Sequence, residues 1–218
     1  MYNKIRLGDT MKKRKHKFLI DTLGIDINHD ETRTDYSKRY TITSIILLFF
    51  IAGLIGFAWE TLLEYKRSGV IRNRGFLTGP IIPIYGHGAN LALLLGYKYR
   101  KTPVKHTLLI MFYSTILEYV SSYVLELMFG VRWWNYYKYP LNINGRVCLR
   151  GILIFALLSS AFIYVIAPTV DKILKKINKK LIIFLCVLFL SLMAIDTVFS
   201  FIEPRVGVGI TNNYKPRR

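Results

Sequence analysis

Thr41-Ile-Thr-Ser-Ile-Ile-Leu-Leu-Phe-Phe-Ile-Ala-Gly-Leu-Ile-Gly-Phe-Ala-Trp-Glu-Thr-Leu-Leu63 decides the class of this protein. The first eighteen of these residues carry no charge, and a helix crossing a bilayer needs roughly 20 mostly apolar residues. The run therefore reads as a membrane span. Four more candidates follow: Phe76 to Tyr97, His106 to Phe129, Leu149 to Pro168 and Leu181 to Ile202. The second is interrupted by Gly79-Pro80 and Pro83, so it is expected to be broken. The expected fold is an all-α polytopic bundle of about five spans, with an interfacial loop between the third and fourth. Residues 1–40 form a basic polar tail, 41–203 the transmembrane domain and 204–218 a polar C-terminal tail.

Composition agrees. In 218 residues, 52% are hydrophobic and 20% charged, and the mean hydropathy is +0.31. An ordinary soluble domain carries about a quarter charged residues. The net charge of +18 would suggest nucleic acid in a soluble chain. In an apolar chain it is better explained by topology signals and anionic headgroups, so nucleic acid is not an expected partner. Cys148 and Cys186 are too few for a structural zinc site and read as free thiols. The cluster Lys12, Lys13, Arg14, Lys15 and Lys17 reads as a topology anchor. A signal peptide is not expected, because the first apolar run is of span length.

Orientation follows from basic residues on alternate sides. With the N-terminus inside, the inner segments hold nineteen Lys/Arg and the outer segments twelve. A cytoplasmic N-terminus and an external C-terminus are expected, in a multi-pass protein of the cell membrane. Trp59, Tyr65, Trp133, Trp134, Tyr136, Tyr137 and Tyr139 would lie at the outer interface, most of them as anchors.

Ionisable groups inside a membrane are expensive, and they usually face a bundle interior or a wet cavity. Glu60, Glu64, Glu118, Glu126, Asp196 and Glu203 all fall in the outer half or at the outer interface. Glu118, Ser122 and Glu126 share one helix face, and so do Asp196, Ser200 and Glu203. An outward-opening polar chamber is expected, with Glu60, Glu118 and Asp196 lining it. Arg74 and Arg146 would pair with those acids or with an anionic substrate. Tyr85 and Trp133 would supply aromatic walls. Asn142, Asn144 and Arg146 could cap a re-entering chain or grip an anionic group. The competing reading is a set of interhelical ties that hold helices together in lipid. Gly88, Ala92 and Gly96 form a small-residue ridge for a neighbouring helix. His87, a lone histidine, reads as a satisfied buried imidazole.

No Walker A, G-x-S-x-G, H-E-x-x-H or G-x-G-x-x-G pattern occurs. Several separated motifs nevertheless agree in order with one family. They are Gly56-Phe-Ala-Trp-Glu60, Asn73-Arg-Gly-Phe-Leu-Thr-Gly-Pro80 and Pro83-Ile-Tyr-Gly-His-Gly88. Leu117-Glu118-Tyr119, Arg132-Trp-Trp-Asn-Tyr136 and Asn144-Gly-Arg146-Val-Cys148 continue the series. Over roughly residues 45 to 200 the chain resembles the type IV family of ABC transporter permeases. It departs at Asn135, where an Asp is usual, and at Thr78, where an aromatic is common. The resemblance implies a bacterial multi-spanning membrane protein, and the leading expectation is a permease subunit of a transporter. ATP hydrolysis would then come from a separate ATPase subunit docking on the basic inner loops. The chain itself is expected to be no enzyme and to carry no cofactor. The alternatives are a membrane-embedded enzyme acting on lipid or cell-envelope precursors, and a structural or regulatory membrane partner. Beyond the lipid bilayer, a homo-oligomer remains open.

Overall fold

The computed structural model describes residues 39–207, 210 and 211. The basic cluster at Lys12–Lys17 and most of the C-terminal tail lie outside the described residues. Helix α1 spans Ile42–Ser68. The Thr41 side chain accepts from the Ser44 amide at its start, and Gly69 ends it at φ 71°. A left-handed residue after the last turn is the glycine C-cap, which costs a residue without Cβ nothing. Helix α2 is Pro83–Leu95 and α3 is Pro103–Phe129, the latter closed by Gly130 at φ 70°. A short hairpin pairs β1 (Asn142–Ile143) with β2 (Val147–Cys148), antiparallel. Helix α4, Leu149–Ala161, passes through a π-helical turn at Phe162–Ile166 into α5, Ala167–Leu174. Helix α6, Lys179–Ile202, is the last among the described residues.

Among the described residues, four helical stretches are long and apolar enough to cross a membrane: Ile42–Ser68, Pro103–Phe129, Leu149–Leu174 and Lys179–Ile202. The second sequence candidate is not a fifth such helix. Residues 69–82 are non-helical, and α2, at 13 residues, is about 20 Å long against a hydrocarbon core of roughly 30 Å. The physical reason is Pro80 and Pro83, each lacking the N–H a continuous helix would need. Pro83 instead occupies the first turn of α2, where a missing N–H does no harm.

Contacts nevertheless carry the chain from one face of the bundle to the other. The face where α1 begins, called here the near face, gathers Arg39, which donates to the Tyr97 hydroxyl (2.7 Å), and Arg100, stacked on Tyr40 and Tyr97. There also the Ser44 hydroxyl donates to Asp171 on α5 (3.0 Å). The far face holds the end of α1, residues 69–79, the end of α3 and the hairpin. The Ile82 amide donates to the Gly53 carbonyl of α1 midway between them (3.1 Å). Extended chain thus covers the far half of this passage and α2 the near half.

The main core joins Ile45, Leu48 and Ala52 of α1 to Ala89, Ala92 and Leu93 of α2, with Ile110, Phe162, Ile163 and Ala167 closing it. Gly86 lets α1 and α2 meet: a Cβ there would lie 2.6 Å from the Phe49 ring and 2.8 Å from the Phe49 carbonyl. The Gly88–Ala92–Gly96 ridge does meet α3, through Leu117 at Gly88 and His106 at Gly96. His87, expected to be buried, is exposed and lies edge-on to Phe49 (5.0 Å). Both cysteines are free and buried.

Candidate functional site

Among the described residues, the far half of the bundle contains three polar clusters. The first is centred on Glu60. Its carboxylate accepts from the Tyr85 hydroxyl (2.8 Å) and lies 3.7 Å from Arg74. Arg74 also reaches Glu64 (3.6 Å), which is buried and approached by Arg67 and Arg72 (3.7 Å each). Tyr85 is fixed twice, by Glu60 and by stacking on Phe155 of α4 (5.0 Å, 18°). A Cβ at Gly56 would overlap the Tyr85 ring, so the glycine makes room for it.

Glu118 of α3 adjoins this cluster at 3% exposure. Its carboxylate faces the Tyr136 hydroxyl, with Glu60 and Tyr85 nearby. Among the described residues no Lys or Arg forms an ion pair with it. Burial, and then the Glu118 carboxylate, push the Tyr136 hydroxyl well above the ordinary phenol range. Tyr136 therefore remains a neutral donor. It lies in the loop after α3, where its place in a run of aromatics read as anchoring. The signal that could have singled it out is Glu118 itself, a span carboxylate that needs a donor.

The second cluster belongs to the hairpin. Arg146 donates to Glu126 and to the Ser122 hydroxyl (3.1 Å), and its guanidinium lies over the Tyr123 and Tyr119 rings. Arg132 also donates to Glu126 (2.7 Å) and to the Asn144 carbonyl (2.9 Å). Asn144 and Gly145 both have positive φ (52° and 67°), the mirror-image turn that suits the twist of a tight hairpin. The Asn144 side chain donates to the Tyr119 hydroxyl (3.0 Å), and Asn142 accepts from the Gly145 amide (2.9 Å). Trp134 donates to the Arg146 carbonyl (2.8 Å). The hairpin is thereby clamped onto α3.

The third cluster joins α6 to the loop before α2. Asp196 accepts from the Thr78 and Gly79 amides (3.0 and 2.9 Å), one on each carboxylate oxygen, and from the Ser200 hydroxyl (3.3 Å). Asn73 organises that loop from within. Its amide donates to the carbonyls of Leu77, Thr78 and Gly79, and its oxygen accepts from the Gly75 amide. Beside the loop, Trp133 packs with Phe76 and Phe129, and Phe201 joins them (centroids 5.1–5.9 Å).

Of the eight sequence-selected residues, Glu60, Arg74, Tyr85 and Glu118 come together. Arg146 is drawn instead to Glu126, Asn144 to the Tyr119 hydroxyl, Asp196 to backbone amides, and Trp133 to an aromatic cluster. Glu64, Asn73, Ser122, Glu126, Arg132 and Tyr136 complete the three clusters. A small apolar cavity lies deeper, between Gly88, Leu91, Ile110, Leu117 and Ser159, and contains none of the eight.

A family model described as "Putative ABC-transporter type IV" matches residues 47–201, which include every one of these clusters. The chain belongs to that family. No curated protein and no solved structure matches it. Family membership and the four apolar helices make this member of the type IV family a multi-pass membrane protein.

Proposed function

We propose that the chain is the permease subunit of a transporter, with its N-terminus in the cytoplasm. The observation that carries this reading is the broken passage: on the non-helical chain at 69–82 Arg74 reaches the Glu60 carboxylate, and Tyr85, at the start of α2, donates to the same carboxylate. Irregular backbone at membrane depth is tolerated where it is buried in protein or borders water, and discontinuous spans often carry transporter sites. The solute site is built from Glu60, Arg74, Tyr85 and Glu118, with Tyr136 as donor. Asn144, Arg146, Trp133 and Asp196 form its outer wall. The basic side of the chain, Lys98–Lys105 and Lys172–Lys180, faces the cytoplasm under the rule that inner segments are richer in Lys and Arg.

With no P-loop in this sequence, energy from ATP would come from a second chain seated on that basic side. Purification from native membranes in mild detergent tests this directly. Stoichiometric recovery of a P-loop ATPase supports the permease reading; recovery of the folded chain alone, from membranes in which it is fully expressed, counts against it. The buried Glu118 carboxylate facing Tyr136 favours a second reading, a membrane-embedded enzyme using Glu118 as general base on a lipid precursor. That reading requires turnover by the purified chain without ATP.

A further inference from the structure

Helix α6 is the most loosely held of the four long helices. Only 11% of its most apolar stretch is buried inside the bundle, against 50% for α1. At its near end it is anchored by Leu47, Leu174, Ile182 and Cys186, and by Phe189 against Phe50. At its far end Asp196 clasps Thr78 and Gly79, and Arg205 just beyond the helix reaches the Thr78 carbonyl (3.5 Å). Two successive backbone N–H groups converging on one group form an anion-binding concavity. Here each amide meets a different carboxylate oxygen, so the concavity suits a group that presents two oxygens, as a carboxylate does. Among the described residues, no Lys or Arg forms an ion pair with Asp196, and its negative charge is met by dipoles. The amide pair is pre-shaped by Asn73, which holds the adjacent carbonyls independently of Asp196. Thr78 is exposed and Gly79 half-buried, so the site can be reached once Asp196 leaves.

We propose that the Thr78–Gly79 amide pair is a binding site for a carboxylate-bearing ligand. In this structure Asp196 occupies it as a tethered stand-in, and the ligand's carboxylate displaces Asp196 and frees the far half of α6. This rests on the permease reading only in identifying the ligand with the transported solute. The amide site itself stands on the geometry.

The test uses the full chain in detergent with acetate as the probe. Asp196→Ala vacates the site. Its thermal midpoint is expected to fall by about 2–4 °C, the shift for one lost interaction in a chain of this size. Acetate restores it, and chloride at equal ionic strength does not. Asp196→Asn, which keeps the size of the side chain, serves if Asp196→Ala does not fold, and shows weaker acetate recovery. Adding Gly79→Ala to either variant places a methyl 3.0 Å from the position of Asp196 Oδ2, crowding a bound carboxylate, and weakens recovery. In the wild-type chain, acetate raises amide hydrogen exchange over residues 196–202. Absence of acetate-specific recovery in both variants overturns the site. Recovery without any change in wild-type exchange overturns the displacement. Neither result depends on whether an ATPase chain co-purifies, so failure of this proposal and failure of the permease reading are separable.

Discussion

The Tyr85 hydroxyl donates to Glu60 Oε1 over 2.8 Å, and this bond ties the first turn of the half-length helix α2 to α1. Replacing Tyr85 by Phe leaves the stack on Phe155 intact and removes only the bond. The expected cost is about 1.5–3 kcal/mol, the worth of a hydrogen bond to a charged group. Tyr85→Ala also loses the ring and leaves space against Gly56, at about 3–5 kcal/mol for a large aromatic. Thermal unfolding in detergent should rank the two in that order.

Glu126→Gln leaves Arg132 and Arg146, both nearly buried, without their shared carboxylate. Hydrogen bonds to charged groups are worth about 1.5–3 kcal/mol, and a loss of that size is expected. Because the two arginines hold the hairpin, limited proteolysis should cut residues 131–148 faster in this variant. Unchanged cleavage would show that the hairpin is held by its turn and aromatics alone.

Asn144 occupies a left-handed position at φ 52° and bonds Tyr119. Asn144→Gly keeps the backbone conformation and gives up one hydrogen bond. Asn144→Ala gives up the bond and also takes on the left-handed penalty, about 1–2 kcal/mol for a residue with a Cβ. The measurable outcome is that the alanine variant melts below the glycine variant.

Gly86→Ala places a methyl against both the ring and the carbonyl of Phe49. The carbonyl belongs to α1 backbone and cannot rotate away, so α1 and α2 must separate. Overpacking of this kind costs about 1–3 kcal/mol. Gly69→Ala, with open space around its Cβ, strains only its own φ of 71°, and a smaller loss of folded protein is expected.

Two tyrosines outside the long helices give an alkaline signature. Burial pushes Tyr40 up to about 12, and Tyr136 is pushed well above the usual range by burial and then by Glu118. The unfolded chain releases these protons near pH 10, before the folded one does. Their contribution to stability is therefore complete below about pH 10 and is lost as pH rises through the folded values. Ultraviolet titration should show a slow fraction of phenolate appearing only as the protein unfolds, and Tyr136→Phe should reduce that fraction.

Much of this was legible from residue order. Span-length apolar runs determined that the chain is helical and membrane-spanning, because a backbone in hydrocarbon must satisfy its own hydrogen bonds. Pro80 and Pro83 marked the break in the second passage, since proline cannot serve a continuous helix. Spacing along α3 placed Glu118, Ser122 and Glu126 on one face, and all three point to the same side of the bundle. Partnership was decided only in three dimensions. Nothing local tells Arg146 that its carboxylate is Glu126, twenty residues back, rather than Glu60 or Glu118. The two positive φ angles of the hairpin aim it there. Asp196 similarly finds backbone amides 117 and 118 positions away, because Asn73 folds the preceding loop so that two N–H groups point outward. Sequence determines which charges must be compensated inside a membrane; the loop and hairpin geometry determines what compensates each one.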